Sequence, residues 1–505
     1  MNRTKNSAGV RPNSPAGFSL PPIVEEIRAQ VRAGEAYLVG GAIRDSILGR
    51  QVLDIDFALR GSGVEAARSV ANSLGAAFYP LDAERGIGRV ILVRGKARYT
   101  LDFASLRQGS IEEDLALRDF TANAVAIPLG DPARRIDPLG GERDTRAGIL
   151  RACSPHSIDD DPVRAVRAIR LAAQLGFRIE KQTKEAVRAG ASTLGRVSAE
   201  RIRDEFFRIL AGRKVAAAIH SLASLGLLRA ILPETAGLDG RGEGEPHRSG
   251  VWEHTLTVLE KLESVCDALA PESGPGRAGD WAMGAARARL GRFQSALAEH
   301  LTRPLCDERP LRGLLFLATV LHDAAKPETR SINALGEVHY LGHEQLGAEW
   351  ALYRATALRF SNDEADFVSK IVRHHMRPML LQSSGPVTRR AVFRFFRATG
   401  PCGIAVCLLF LADTLATHRA EDAQENWRFA VETAHSLLEG YFERPAEMVR
   451  PTPLLSGDDL IRDFGLSPGP QIGELLDALR EAQAAGEVGT REEAVALIER
   501  GLGRK

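Results

Sequence analysis

Apolar and polar residues alternate through Leu53-Asp54-Ile55-Asp56-Phe57-Ala58-Leu59, the period of a half-buried β-strand. Comparable runs rich in β-branched and aromatic residues predict strands at 36–39, 54–59, 89–93 and 97–103. From about residue 137 the spacing becomes helical: Val163, Val166, Ile169, Leu171 and Ala172 share one face. Ser198, an N-cap type, precedes another helix with Glu200 in its first turn and Ile202, Phe206 and Leu210 along it. Gly- and Pro-rich stretches at 237–246, 270–279 and 450–453 interrupt the pattern as a linker, a surface insertion and a break. The pattern predicts an α+β chain: a tail (1–20), a mixed head (21–136), a helical neck (137–236), a linker (237–248), an all-α domain (249–440) and a helical tail (450–505).

Length and composition narrow the class. At 505 residues the chain has room for two to four domains. Hydrophobic residues make up 44% and charged residues 26%, as in soluble globular proteins. A net charge of +1 means that nucleic-acid binding requires a local basic surface. The five cysteines form no C-x-x-C, which suits a reducing cytoplasm and argues against thiolate-held zinc. Met1 to Gly17 lacks an apolar core and reads as a disordered tail, and no apolar run approaches the ~20 residues of a membrane span. The expectation is a cytoplasmic protein with no membrane partner.

The alternation aims Asp54 and Asp56 at one spot and sends Ile55 and Phe57 the other way. Paired carboxylates repel, and a divalent cation relieves them. Just upstream, an apolar strand enters Gly40-Gly41 and then a short helix to about Leu48, a geometry that brings backbone N–H groups close to a triphosphate. Taken singly, a D-x-D in a strand is usually solvated and a Gly-Gly turn is common; together they suggest Mg²⁺-dependent nucleotidyl transfer. Asp102, on a predicted neighbouring strand, supplies a third carboxylate, although a polar strand end reads the same way. Ser110-Ile-Glu-Glu113 is a capping box opening a helix towards Arg118-Asp119-Phe120-Thr121-Ala122-Asn123. There Arg118 can neutralise phosphate oxygens and Asn123 can bond a sugar hydroxyl. Asp161 and Arg164, three apart on an expected helix, share a face. Their acceptor and donor match the amine and ring acceptor of cytosine and adenine; a solvated intrahelical ion pair is the plain alternative.

The series Gly40-Gly41-x-x-Arg44-Asp45, Asp54-x-Asp56, Arg118-Asp119-Phe120-Thr121, Asp137-Pro138-x-Gly140-Gly141 and Asp160-Asp161-Pro162-Val163-Arg164-Ala165-Val166-Arg167 resembles the class II tRNA nucleotidyltransferases. These are the CCA-adding enzymes, with bacterial poly(A) polymerases as close kin, and the likeness spans roughly residues 36–210. The resemblance implies a polymerase-β-like head on a helical neck. It assigns the catalytic metals to Asp54 and Asp56 with Asp102 beside them, the triphosphate to Gly40, Gly41 and Arg44, and phosphate and ribose to Arg118, Asp119 and Asn123. Asp161 and Arg164 become a protein template, with Arg167 on the same motif. Partners would be tRNA, CTP and ATP. Asp160 stands where the family has Glu, Leu117 where it has a first Arg, and the interval from Asp102 to Arg118 is short. Members that add the terminal A carry a longer loop there and CC-adding members have lost it, so CCA, CC-only and poly(A) addition all stay open.

Past the linker come His254, His322-Asp323, His343, His374-His375 and Asp413. Imidazoles and aspartates on several helices suit one or two divalent transition metals, whereas a lone His on an apolar helix is more often a core residue. The order resembles the HD phosphohydrolases over roughly residues 249–420, which implies ligands His254, His322, Asp323, His343, His375 and Asp413 and metal-assisted hydrolysis of a 2′,3′-cyclic or terminal phosphate. His339 and His418 fit no slot and are assigned to the surface. The segment 454–494 resembles the C-terminal helices of such fused enzymes, with Gly465 and Pro468-Gly469-Pro470 marking a turn between helices. A hydrolase with an inactive head and an RNA-binding scaffold without chemistry are the rival classes, and the complete residue sets disfavour both.

Overall fold

The computed structural model describes residues 20–31, 36–82, 84–107, 109–238, 249–271, 281–383, 385–417 and 423–503. The tail at 1–17, linker residues 239–248, the insertion at 272–279 and His418 lie outside the described residues. Two compact units form, Met1–Arg196 and Val197–Lys505.

The first unit runs α1 (Ile23–Arg28), β1 (Ala36–Val39), α2 (Gly41–Ile47), β2 (Asp54–Leu59), α3 (Gly63–Leu74), β3 (Ala77–Asp82), β4 (Ile87–Arg94), β5 (Ala97–Ser105), α4 (Ile111–Ala116), β6 (Ala126–Pro128), α5 (Gly141–Ala147), β7 (Ile149–Leu150), α6 (Ser157–Asp160), α7 (Val163–Leu175), β8 (Arg178–Ile179) and α8 (Lys181–Gly190). Its sheet has the order β3-β4-β5-β2-β1-β6. All neighbours are antiparallel except β2 and β5, which run parallel with Asp56 opposite Asp102. The predicted strands are present; in this sheet β3, mostly exposed, and β6, only three residues long, are the additions. Alternation along β2 buries Ile55 and Phe57 in a core with Ala67, Val70, Leu101 and Phe103, the Phe57 and Phe103 rings stacked at 4.8 Å. Val39 and Ala58, on the opposite face, pack with Ile111 and Leu115 of α4. Burying an aliphatic or aromatic side chain contributes about 1.5–3 kcal/mol, so each sheet face is held firmly enough to fix the polar residues between them. Ser110 and Glu113 make both bonds of the capping box expected for α4.

The second unit is helical: α9 (Ala199–Leu210), α10 (Val215–Ser224), α11 (Leu227–Ile231), α12 (Ser249–Ala268), α13 (Trp281–Leu290), α14 (Gln294–Thr302), α15 (Leu311–Leu321), α16 (Lys326–Thr329), a hairpin of β9 (Ser331–Ile332) and β10 (Val338–His339), α17 (His343–Ala357), α18 (Asn362–His374), α19 (Arg377–Ser383), α20 (Arg389–Thr399), α21 (Gly403–Thr417), α22 (Ala423–Phe442), α23 (Gly457–Phe464), α24 (Pro470–Ala485) and α25 (Arg491–Gly501). Residues 199–231, grouped by the sequence pattern with the neck, belong to this unit. Glu263 of α12 accepts from Val215 N and Ala216 N at 2.9 and 3.3 Å, and Gly313 of α15 has its backbone against the Phe207 ring. Leu238, inside the stretch read as flexible linker, is fully buried. The span Arg389–Thr417 is long and apolar, but 78% of its most apolar window is buried in the fold, and the chain bends between α20 and α21 at Gly400–Cys402. The C-terminal helices close their own small core around Leu460, Phe464, Leu479 and Ile498. Gly465 at φ +68° ends α23, as the Gly/Pro pattern predicts.

Candidate active sites

In the first unit, register builds the site. Val39 opposite Asp56, Asp56 opposite Asp102 and Asp102 opposite Arg89 put these side chains on one sheet face. Gly40 follows Val39 with φ +80° and ψ −148°, a region that only glycine occupies readily. A Cβ there would lie 2.6 Å from Asp56 Oδ2 and 3.4 Å from Arg118 Nη1, so backbone, carboxylate and guanidinium converge on one point. Burial pushes the Asp56 carboxyl up to about 6; Arg118 opposes this, while Asp102 and Asp54 add to it. Hard oxygen donors of this kind fit Mg²⁺.

The remaining head residues form one network. Arg44 donates Nη1 to Asn123 Oδ1 at 2.6 Å and grips Asp45 through Nε and Nη2 at 2.9 and 2.8 Å. Asp119 accepts from Phe120 N at 2.7 Å, Asn123 Nδ2 at 3.0 Å and Arg167 Nη1 at 3.2 Å. Burial raises the Asp119 carboxyl, but Arg167, Asn123 and the Phe120 N–H outweigh it and hold the group below its ordinary value. Arg118 reaches Asp114 at 3.3 Å, and its Nε is buried without a partner. Asp137 caps α5 by accepting from Gly141 N at 2.6 Å and Glu142 N at 3.0 Å, while a Cβ on Gly141 would sit 2.0 Å from Thr121 O. That motif therefore acts by close packing beneath the site.

Contrary to the helical spacing expected of them, Asp161 and Arg164 do not share a helix face. Asp161 is extended (φ −148°, ψ 90°) between α6 and α7, because Pro162 follows it and disfavours helix at the residue before it. Only Arg164 is helical, and the two approach no closer than 3.8 Å. Arg164 donates instead to the carbonyls of Leu117 (3.0 Å), Arg118 (3.4 Å) and Ser157 (3.1 Å), tying α7 to the segment that carries Arg118. Pairwise sequence reasoning also missed Arg89, whose fork takes both oxygens of Asp102 at 2.8 Å. The available signal was a cation inside the otherwise apolar run Gly88 to Val93.

In the second unit, six side chains from α12, the α15–α16 turn, α17, the end of α18 and α21 meet. His254, His322 and Asp413 can offer donor atoms within 4.8 Å of one another, as can Asp323, His343 and His375. His254 Nε2 lies 3.0 Å from Asp413 and 3.7 Å from Asp323, and His343 Nε2 lies 3.4 Å from Asp323. Backbone carbonyls pin the far ring nitrogens: Thr319 O at His322 (2.8 Å), Tyr340 O at His343 (2.7 Å) and Val372 O at His375 (2.7 Å). This leaves each Nε2 pointing inward, the usual second layer of a metal site. His322 Nε2 and Asp323 Oδ1 are buried with no hydrogen-bond partner, an expensive arrangement that a cation would satisfy. The donor set of nitrogen and oxygen fits first-row divalent metals. Burial keeps His375 low, at about 4, so it stays neutral and able to ligate. Lys326 Nζ, 2.6 Å from Asp323, was not anticipated. His374 accepts from Arg377 at 3.1 Å and stands outside both groups, and His339 lies on β10 against Asn333.

Known protein families match three stretches of the chain. Residues 36–151 match the poly(A) polymerase head domain, 176–238 the probable RNA- and SrmB-binding site of polymerase A, and 251–418 the HD domain. A nucleotidyltransferase head joined to an HD domain is the class so defined. The chain is 36% identical to an A-adding tRNA nucleotidyltransferase of Deinococcus radiodurans, over 92% of this chain and 95% of the relative. It is 33% identical to a CC-adding tRNA nucleotidyltransferase of Thermus thermophilus, over 92% and 93%. A CCA-adding enzyme solved in complex with ATP shares the fold, with a TM-score of 0.62 at 21% identity over 96% of this chain and 97% of that one. The chain belongs to the tRNA nucleotidyltransferase family.

Proposed function

We propose that the chain adds C and/or A residues from CTP and ATP to the 3′ end of tRNA without a nucleic-acid template, and that its HD centre hydrolyses phosphoesters. The observation that carries the first part is the convergence of Asp56 and Arg118 on the Gly40 backbone, with Asp54 two residues before Asp56 on the same strand. Asp54 and Asp56 would hold Mg²⁺, which when bound neutralises triphosphate charge and assists attack by the RNA 3′-hydroxyl. Gly40 lets the triphosphate approach the main chain. Arg118 has an unspent Nε to direct at phosphate, and Arg44, held by Asp45 and Asn123, is pre-oriented beside it. Asp119 fixes Asn123 and Arg167. Asp161 and Arg164 select C and A in this reading, Arg164 keeping its buried Nε unpaired for a base. Asp102, gripped by Arg89, is the supporting carboxylate. At the second centre His254, His322, Asp323, His343, His375 and Asp413 would hold the transition metal. The five cysteines are all free, in keeping with a cytoplasmic enzyme.

A narrower activity, CC addition alone, is favoured by one observation: only residues 106–110 connect β5 to α4. One experiment serves both. Purified enzyme is incubated with CTP and ATP, separately and together, on tRNA lacking its CCA end and on tRNA ending in CC. Extension with CTP is expected; AMP incorporation on the CC-ended tRNA decides for A addition, and no extension with any nucleotide refutes the proposal.

A further inference from the structure

The acidic face of the head sheet carries a cation, Arg89, with no part so far in the proposed transfer. Alternation along β4 puts Ile87, Arg89 and Ile91 on the face that β5 supplies with Thr100, Asp102 and Ala104, and β2 with Asp54, Asp56 and Ala58. Arg89 is therefore a charged residue between two apolar ones, two strands from Asp56. It lies directly opposite Asp102, and its Nε and Nη2 each donate to one carboxylate oxygen at 2.8 Å. This is the planar two-point fork by which a guanidinium holds a carboxylate in one orientation. The Arg89 charge also acts on Asp54 and Asp56. Both members of the pair are partly exposed, so neither is stranded in a dry interior when its partner is removed.

Three carboxylates share this face, and the fork is spent on one of them. Its two N–H donors compete with a metal ion for the oxygens of Asp102. A fixed positive charge about 7 Å from a divalent ion in partly solvated surroundings also weakens binding of that ion, by roughly fivefold or more. We propose that Arg89 is a positioning residue for the head's metal: it keeps Asp102 off the ion, leaves Asp54 and Asp56 as the two protein carboxylates that hold it, and lowers the affinity of the face for free divalent metal. The inference rests on the assignment of Mg²⁺ to Asp54 and Asp56.

The test is Mn²⁺ titration read by electron paramagnetic resonance on the full chain, in a His322→Ala/Asp323→Ala background that weakens the HD centre. The head site is the one lost on adding Asp54→Asn/Asp56→Asn. Arg89→Met is expected to tighten that site about fivefold. Asp102→Asn alone should loosen it by a similar factor, because Arg89 is left without a partner. Arg89→Met/Asp102→Asn should bring it back to within about twofold of the background, since charge balance is restored without adding a ligand. A lower melting temperature in Arg89→Met with Mn²⁺ affinity equal or weaker shows a merely structural ion pair and overturns the proposal. A double variant as weak as Asp102→Asn shows that Asp102 is itself a ligand, and overturns it as well. If no site is lost in Asp54→Asn/Asp56→Asn, the metal assignment falls and the Arg89 role with it; a site lost there but indifferent to Arg89→Met refutes the Arg89 role alone.

Discussion

Gly40→Ala isolates what the turn does. The native backbone at φ +80°, ψ −148° costs a non-glycine residue about 1–3 kcal/mol. The added Cβ would meet Asp56 Oδ2 at 2.6 Å, whereas ordinary contact begins near 3.4 Å, so the carboxylate must retreat by about 0.8 Å. A displacement of about 1 Å at a reacting centre can lower the rate about 100-fold. Asp56 cannot swing freely, because Ile55 and Phe57 beside it are locked in the core. The expected outcome is a single-turnover rate of CMP incorporation reduced about 100-fold, with tRNA affinity nearly unchanged because phosphate contacts elsewhere set it. Gly75→Ala is the matched control: it too has positive φ, +62°, at the end of α3, but nothing lies within 4 Å of its Cβ. It should cost about 1–2 kcal/mol of stability and leave the rate intact. A Gly40→Ala enzyme that turns over normally, or a Gly75→Ala enzyme equally slowed, would refute the reasoning.

Three further outcomes are expected. The raised Asp56 pKa of about 6 means that the metal-free folded head binds a proton more tightly than the unfolded chain does, so this group stabilises the head below about pH 4 and the contribution is lost as pH rises through 6. Thermal melts in EDTA should show that decline and Asp56→Asn should flatten it; a wild-type curve parallel to the variant would count against the assignment. Changing His322 and Asp323 to Ala should lower bound transition metal measured by mass spectrometry and end hydrolysis of 2′,3′-cyclic nucleotides while CMP incorporation continues, and its loss in a folded variant would show the sites are not separable. Arg309→Ala strips the fully buried Glu364 of a fork made at 2.8 and 2.9 Å, which should cost about 3–5 kcal/mol, with Arg309→Ala/Glu364→Gln recovering part of it; a melting curve equal to wild type rejects the buried-charge argument.

Much of the candidate chemistry was legible because it is written in local periods. Alternation alone places Asp54 and Asp56 on one face with Ile55 and Phe57 opposite, and the Ser110–Glu113 box marks the start of α4 whatever packs around it. The order of the HD residues likewise survives in one dimension. Where local rules meet proline, spacing misleads: the residue before Pro162 cannot join the helix, so Asp161 and Arg164 do not share its face, and Arg164 spends its fork on carbonyls some 46 residues away in sequence.

The sequence by itself therefore determined the strand faces, the caps and the kinds of donor atom at each centre, since these follow from residue type and spacing. Only the tertiary structure decided which groups hold which. Arg89 reaches Asp102 because β4 and β5 pair in one register; a slip of one residue would turn it to the other face. Leu238 is buried although its neighbours read as linker, and α9–α11 join the helical unit through Glu263, Arg312 and Phe207, none adjacent to them in the chain except Phe207 itself. The carbonyls of Thr319, Tyr340 and Val372 orient three imidazoles inward, a role no side-chain pattern encodes. Such pairings depend on register and packing over long sequence distances, where each contact is set by the whole set of others and not by the residues on either side.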